Sequence, residues 1–127
     1  MRLIIDERTK RTMFGFWCLT WMAVLVVSLQ PLQKMPFGLS DKLIHFAGYA
    51  AMTAAAATFC HEARGLLRWS AFTIVMGGLV EVAQHFVPMR SMEFDDFLAD
   101  AAGAVCGRLL AMLWLALVVR PLRRATA

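Results

Sequence analysis

Charge is scarce in this chain. Only 17% of its 127 residues are Asp, Glu, Lys or Arg, and 60% are hydrophobic. That balance is too apolar for an ordinary soluble domain of this length. The length itself allows one compact unit and no more. Cysteine is equally sparse. Cys18, Cys60 and Cys106 stand alone with no C-x-x-C pair, which argues against a disulfide framework or a zinc site and for small buried apolar residues. There is no internal repeat, no low-complexity linker and no signature diagnostic of an enzyme. The first apolar block follows Arg8, Lys10 and Arg11 as a signal peptide would. It is long for one, lacks a small-x-small cleavage site and precedes further apolar blocks, so an uncleaved anchor is expected.

What fills the chain instead is long apolar runs, and runs of about 18 or more residues read as membrane spans. Four are expected, at about 13–29, 41–60, 69–87 and 95–119. Pro31, Pro88 and Pro121 close the first, third and fourth, while Pro36 and Gly38 keep the intervening segment looped. The Ala54–Ala57 run in the second span permits close neighbours. The fold class predicted is all-α, one polytopic bundle of four transmembrane helices. Net charge is +4, but the basic residues sit at the ends of apolar blocks, so a membrane partner is expected and nucleic acid is not. Arg2, Arg8, Lys10, Arg11, Arg64, Arg68, Arg120, Arg123 and Arg124 fall on one side, against Lys34, Lys42 and Arg90 on the other. The positive-inside rule then places both termini in the cytoplasm and the Gln30–Ser40 and Pro88–Phe94 loops outside the bacterial inner membrane.

Several ionisable residues interrupt these runs, and depth orders them. His45 lies roughly 6 Å below the start of the second span, Glu81 roughly 10 Å below the end of the third, and Asp100 roughly 6–8 Å into the fourth. At about 100° per residue, Asp41, His45, Gly48 and Met52 share one face, as do Asp96, Asp100, Gly103 and Gly107. Glu81, His85 and Pro88 share a third, with Gln84 at its edge. Small residues on these stripes are expected against other helices, Gly103-x-x-x-Gly107 above all. A charged group at mid-span costs about 2.5–3.5 kcal/mol on insertion scales, so His45, Glu81, Asp100 and Arg108 are expected to pair, protonate or line water. The central expectation is one polar cluster opening outward.

Asp41-Lys42-x-x-His45-x-x-x-Tyr49, Glu81-x-x-Gln84, Pro88-x-Arg90 and Asp96-x-x-x-Asp100-x-x-Gly103-x-x-x-Gly107 together resemble the VanZ-like membrane proteins, in that family's order and spacing. The resemblance implies a small helical bundle and a link to the bacterial envelope. The best-known member is associated with low-level resistance to teicoplanin. The resemblance implies no particular reaction. The chain departs at Asp100, where many relatives carry Asn, and so gains an ionisable group.

Roles divide evenly in several places. Asp41 and Lys42 read as cluster members or as a helix cap and a snorkelling lysine. Gln84, one turn from Glu81, is expected to orient it. Arg90 reads as a ligand for a lipid phosphate or as a partner for Glu93, Asp95 or Asp96, with Asp95 or Asp96 capping the last span. Arg108 reaches toward the cluster or snorkels to the cytoplasm. The ligand-binding set expected is Asp41, His45, Glu81, Gln84, Arg90, Asp96 and Asp100, and its occupant is an envelope lipid, a lipid-linked precursor or a headgroup. Phosphoryl or glycosyl-phosphate chemistry, with His45, Glu81 or Asp100 as catalytic groups, is the alternative. A structural role in a homo-oligomer or larger membrane complex is the third. No metal or cofactor is assigned, although paired carboxylates can hold Mg²⁺.

Overall fold

The computed structural model describes residues 6–31 and 40–121, and these are helical with no strands among them. Helix α1 runs Glu7–Ser28. Helix α2 runs Asp41–Ala55 and tightens into a 3-10 turn at Ala56–Thr58. Helix α3 runs Ala63–Gln84. Helix α4 runs Phe94–Trp114 and continues as a π-helical stretch, Leu115–Val119. The basic residues Arg2, Arg123 and Arg124, and the loop residues Lys34, Pro36 and Gly38, lie outside the described residues.

Three of the four helices, α1, α3 and α4, are long and apolar enough to cross a membrane. The expectation that each of four helices would be so falls short at α2. Thr58 Oγ donates to the Ala55 carbonyl at 2.8 Å. That carbonyl would otherwise accept from Phe59 N, which bonds Ala56 O instead. A side chain competing for a helix carbonyl ends the α-pattern early. Fifteen α-residues and one 3-10 turn still span about 28 Å.

The other helices outrun their apolar runs, because helix and hydropathy boundaries answer to different forces. α1 starts six residues before Met13, where the Asp6 carboxylate accepts the Thr9 N–H at 2.7 Å, an N-cap that satisfies one orphan donor. α3 starts at Ala63 rather than Trp69 and gives way at His85 to a tight turn before Pro88. The residue before proline is pushed out of helical geometry.

The helices alternate in direction. On α2 and α4, His45 pairs with Asp100, Phe46 lies against Gly103 and Ala50 lies against Gly107, so these two run parallel. A Cβ on Gly103 or Gly107 would be driven into the Phe46 or Ala50 carbonyl oxygen. Only glycine permits that backbone-to-backbone seam, as the small-residue spacing predicts. α3 runs antiparallel beside them, with Gly77 against Asp100 and Tyr49. α1 is attached mainly through aromatic rings. Trp17 meets Trp69 at 4.9 Å and Phe59 at 5.7 Å, and Trp21 meets Tyr49 edge-on at 5.8 Å. Trp17 Nε1–H donates to Met52 O at 2.8 Å across the α1–α2 contact. A Trp17→Phe variant keeps the ring and drops that bond. It is expected to lose about 0.6–2 kcal/mol, read as a lower unfolding midpoint in detergent mixed with sodium dodecyl sulfate.

The outer surface is apolar. Phe16, Leu19, Val27, Val75, Leu79, Leu109 and Leu117 all point outward. A contiguous exposed apolar surface of this kind marks a molecule whose natural surroundings include hydrocarbon.

Candidate functional site: a buried acid–imidazole cluster

The alternating directions bring four polar ends to one pole: the end of α1, the start of α2, the end of α3 and the start of α4. His45 sits in the middle. Its Nδ1 is 2.9 Å from Asp100 Oδ1 and 3.8 Å from Glu81 Oε1, and its Nε2 is 3.9 Å from Asp41 Oδ1. Glu81 and Asp100 are wholly buried at 0% exposure, and the His45 side chain is 10% exposed. Tyr49, one turn along α2, lies nearly parallel to the imidazole at 6.5 Å. The close approach of α3 needs Gly77, where a Cβ would stand 2.9 Å from Asp100 Oδ2 and 3.0 Å from the Tyr49 ring.

Glu81 also ties α3 to α4. Its Oε2 accepts the Glu93 backbone N–H at 3.3 Å. Glu93 is the N-cap position of α4 and makes no side-chain capping bond. The cap position is therefore Glu93, not Asp95 or Asp96 as the sequence suggests, and Glu81 holds its N–H. Asp95 and Asp96 lie in the first turn, where negative charge suits the helix dipole. A second group forms at the rim. Lys42 Nζ lies 3.2 Å from Asp96, 3.4 Å from Glu93 and 3.9 Å from Asp95. Lys42 is thus a pairing residue, and Asp96 belongs to its group as well as flanking His45.

Of the expected ligand-binding set, His45, Glu81, Asp100, Asp41 and Asp96 converge. Gln84 and Arg90 do not join them. Gln84 Nε2 donates to Ser28 O at 3.1 Å and so pins α1 to α3 rather than orienting Glu81. Arg90 Nε donates to Gln30 O at 3.0 Å, and Arg90 forms no ion pair among the described residues. The cause is local. Arg90 N bonds Val87 O at 3.2 Å across a turn with Pro88 second and Met89 third, and Met89 takes a left-handed φ of 65°, the conformation such a turn demands at its third position. His85 is exposed, its ring against Phe86. Arg108 makes no ion pair with the acids among the described residues.

Gly48 departs from its expected helix contact. A Cβ there meets nothing within 4 Å. It faces a cavity of about 320 Å³ between α1 and α2, lined by Trp21, Val24, Val27, Ile44, His45 and Tyr49 among others. Tyr49 and Gly77 were not among the expected site residues. Both carried a signal: Tyr49 is one turn past His45, and Gly77 one turn before Glu81.

Among the acid and imidazole side chains, His45, Glu81 and Asp100 each offer an atom within 4.8 Å of the others, as do Asp41, His45 and Asp96. The three cysteines are free thiols.

Comparison with known proteins agrees with the motif order. A family model described as VanZ/LLP1 matches residues 9–116, taking in all four helices and the whole cluster. No curated protein matches, and no solved structure does. A match over most of the chain, with each motif residue of the resemblance inside it, places this chain in the VanZ/LLP1 family.

Proposed function

We propose that this envelope-associated family member binds an envelope lipid or lipid-linked precursor, with the headgroup at the polar pole and an acyl chain between α1 and α2. One observation carries the reading: the apolar cavity and the polar cluster share a wall. Ala23, Val24, Val27 and Ile44 line the cavity together with His45 and Tyr49. Its volume falls within the ~300–1,000 Å³ of ordinary ligand sites. An apolar slot ending at acids, an imidazole and a lysine suits an amphiphile. The basic residues Arg8, Lys10, Arg11, Arg64, Arg68 and Arg120 lie toward the opposite pole. That asymmetry supports a four-crossing chain in the inner membrane, both termini cytoplasmic, with the cluster outward.

Gly48 supplies the test. A Cβ there meets nothing within 4 Å and Gly48 lines the cavity, so Gly48→Leu is expected to fill the slot without moving the backbone. Phosphatidylglycerol with brominated tails, titrated into detergent-solubilised protein, is expected to quench Trp21 saturably in the wild type. In Gly48→Leu the affinity is expected to fall at least about tenfold, the equivalent of ~1.4 kcal/mol. Equal quenching in both proteins would exclude the cavity as the site.

A further inference from the structure

We propose that His45, Glu81 and Asp100 form a binding site for one divalent transition-metal ion of the zinc or manganese class. The ion shares His45 with the lipid reading and needs no other cavity residue.

Charge states the problem. Two carboxylates at 0% exposure face a single imidazole, and no lysine or arginine among the described residues pairs with either. Lys42, the nearby cation, is engaged by Asp96, Glu93 and Asp95. Buried charges need a partner or a metal. Glu81 Oε1 is buried with no hydrogen-bond partner, while Asp100 shares a hydrogen bond with His45 Nδ1 and has the Tyr49 hydroxyl beside it.

Geometry fits an ion. Ligand atoms about 2.1 Å from a tetrahedral centre stand about 3.4 Å apart. His45 Nδ1 is 2.9 Å from Asp100 Oδ1 and 3.8 Å from Glu81 Oε1, values on either side of that spacing. The surroundings are those of a metal site as well. A ligating histidine hands its other N–H to a carboxylate, and ligating carboxylates are themselves hydrogen-bonded. Here Glu81 Oε2 holds the Glu93 N–H, while Asp41 Oδ1 stands 3.9 Å from His45 Nε2, beyond hydrogen-bond distance.

The donor set selects the ion. One imidazole nitrogen with two carboxylates suits zinc or manganese. Magnesium prefers all-oxygen octahedral sites that keep several waters, and fully buried carboxylates leave little room for them. Three protein ligands leave a fourth position for water or an anionic oxygen. The alternative trio of Asp41, His45 and Asp96 is weaker, because Lys42 already neutralises Asp96.

Full-length protein in detergent, stripped with EDTA and re-equilibrated with Zn²⁺, is expected to hold one zinc per chain after desalting, counted by plasma mass spectrometry. Glu81→Gln and Asp100→Asn are each expected to weaken binding by about 100-fold or more. His85→Ala, at an exposed histidine outside the cluster, is expected to leave it unchanged. Co²⁺ added to wild-type protein should give the visible absorption of a tetrahedral site, a readout that survives any variant's failure to fold. Zinc below a tenth of an equivalent, undiminished binding in folded Glu81→Gln, no cobalt spectrum, or preference for Mg²⁺ would each overturn the assignment.

Discussion

Gly107→Ala is expected to destabilise the bundle by about 1–2 kcal/mol, whereas the same change at Gly48 is expected to stabilise it. Two effects compete. In a helix interior, alanine is favoured over glycine by about 1 kcal/mol. At Gly48 the new methyl meets nothing within 4 Å, so propensity decides and the gain is about 0.5–1 kcal/mol. At Gly107 the methyl is driven into Ala50 O, with the Ala50 carbonyl carbon at 2.9 Å. The obstacle is backbone, which cannot rotate away as a side chain can. Overpacking costs about 1–3 kcal/mol and occasionally more, enough to outweigh propensity here. Gly103→Ala meets Phe46 O in the same way and should behave like Gly107→Ala. Unfolding of each variant in dodecylmaltoside mixed with sodium dodecyl sulfate, followed by Trp fluorescence, reads the sign directly. A Gly107→Ala protein as stable as wild type would show that the α2–α4 seam is looser than described.

His45→Ala is expected to cost about 3–5 kcal/mol, the scale for removing one partner from a buried charged group. Among the described residues the imidazole is the one basic side chain within 4 Å of Glu81 or Asp100. Without it, Glu81 Oε1 and Asp100 Oδ1 both lose their nearest partner. Asp100→Leu added to His45→Ala removes one stranded carboxylate and is expected to recover part of the loss, since neighbours in one network are not additive. EDTA throughout confines the comparison to contacts made by the protein itself. If His45→Ala unfolded within about 1 kcal/mol of wild type, the cluster would contribute little to holding the helices together.

Much of this site was legible in the sequence, for a specific reason. His45, Glu81 and Asp100 each interrupt an apolar run, and their depths agreed before any contact was known. Helical phase then put Asp41 beside His45, and Asp100 in line with Gly103 and Gly107, as found. What escaped depended on neighbours or on competing local bonds. A helical wheel shows which face Gly48 occupies but not whether a helix stands opposite, and there a cavity does. Gln84 has the reach to take either Glu81 or a carbonyl on α1, and takes Ser28 O. Arg90 follows from the left-handed residue Met89, for which the sequence offered no glycine as a warning. The early end of α2 turns on the Thr58 hydroxyl, which hydropathy does not register.

The unequal attachment of the helices also bears on how freely the chain can change. On the α2–α4 seam any atom beyond hydrogen at two positions collides with main chain, so drift there has almost no neutral direction. α1 is held by rings and a pair of hydrogen bonds, and most of its residues are exposed among the described residues. Its exposed residues can be exchanged for other apolar ones with little penalty, so the α1 wall of the cavity is the side freest to vary.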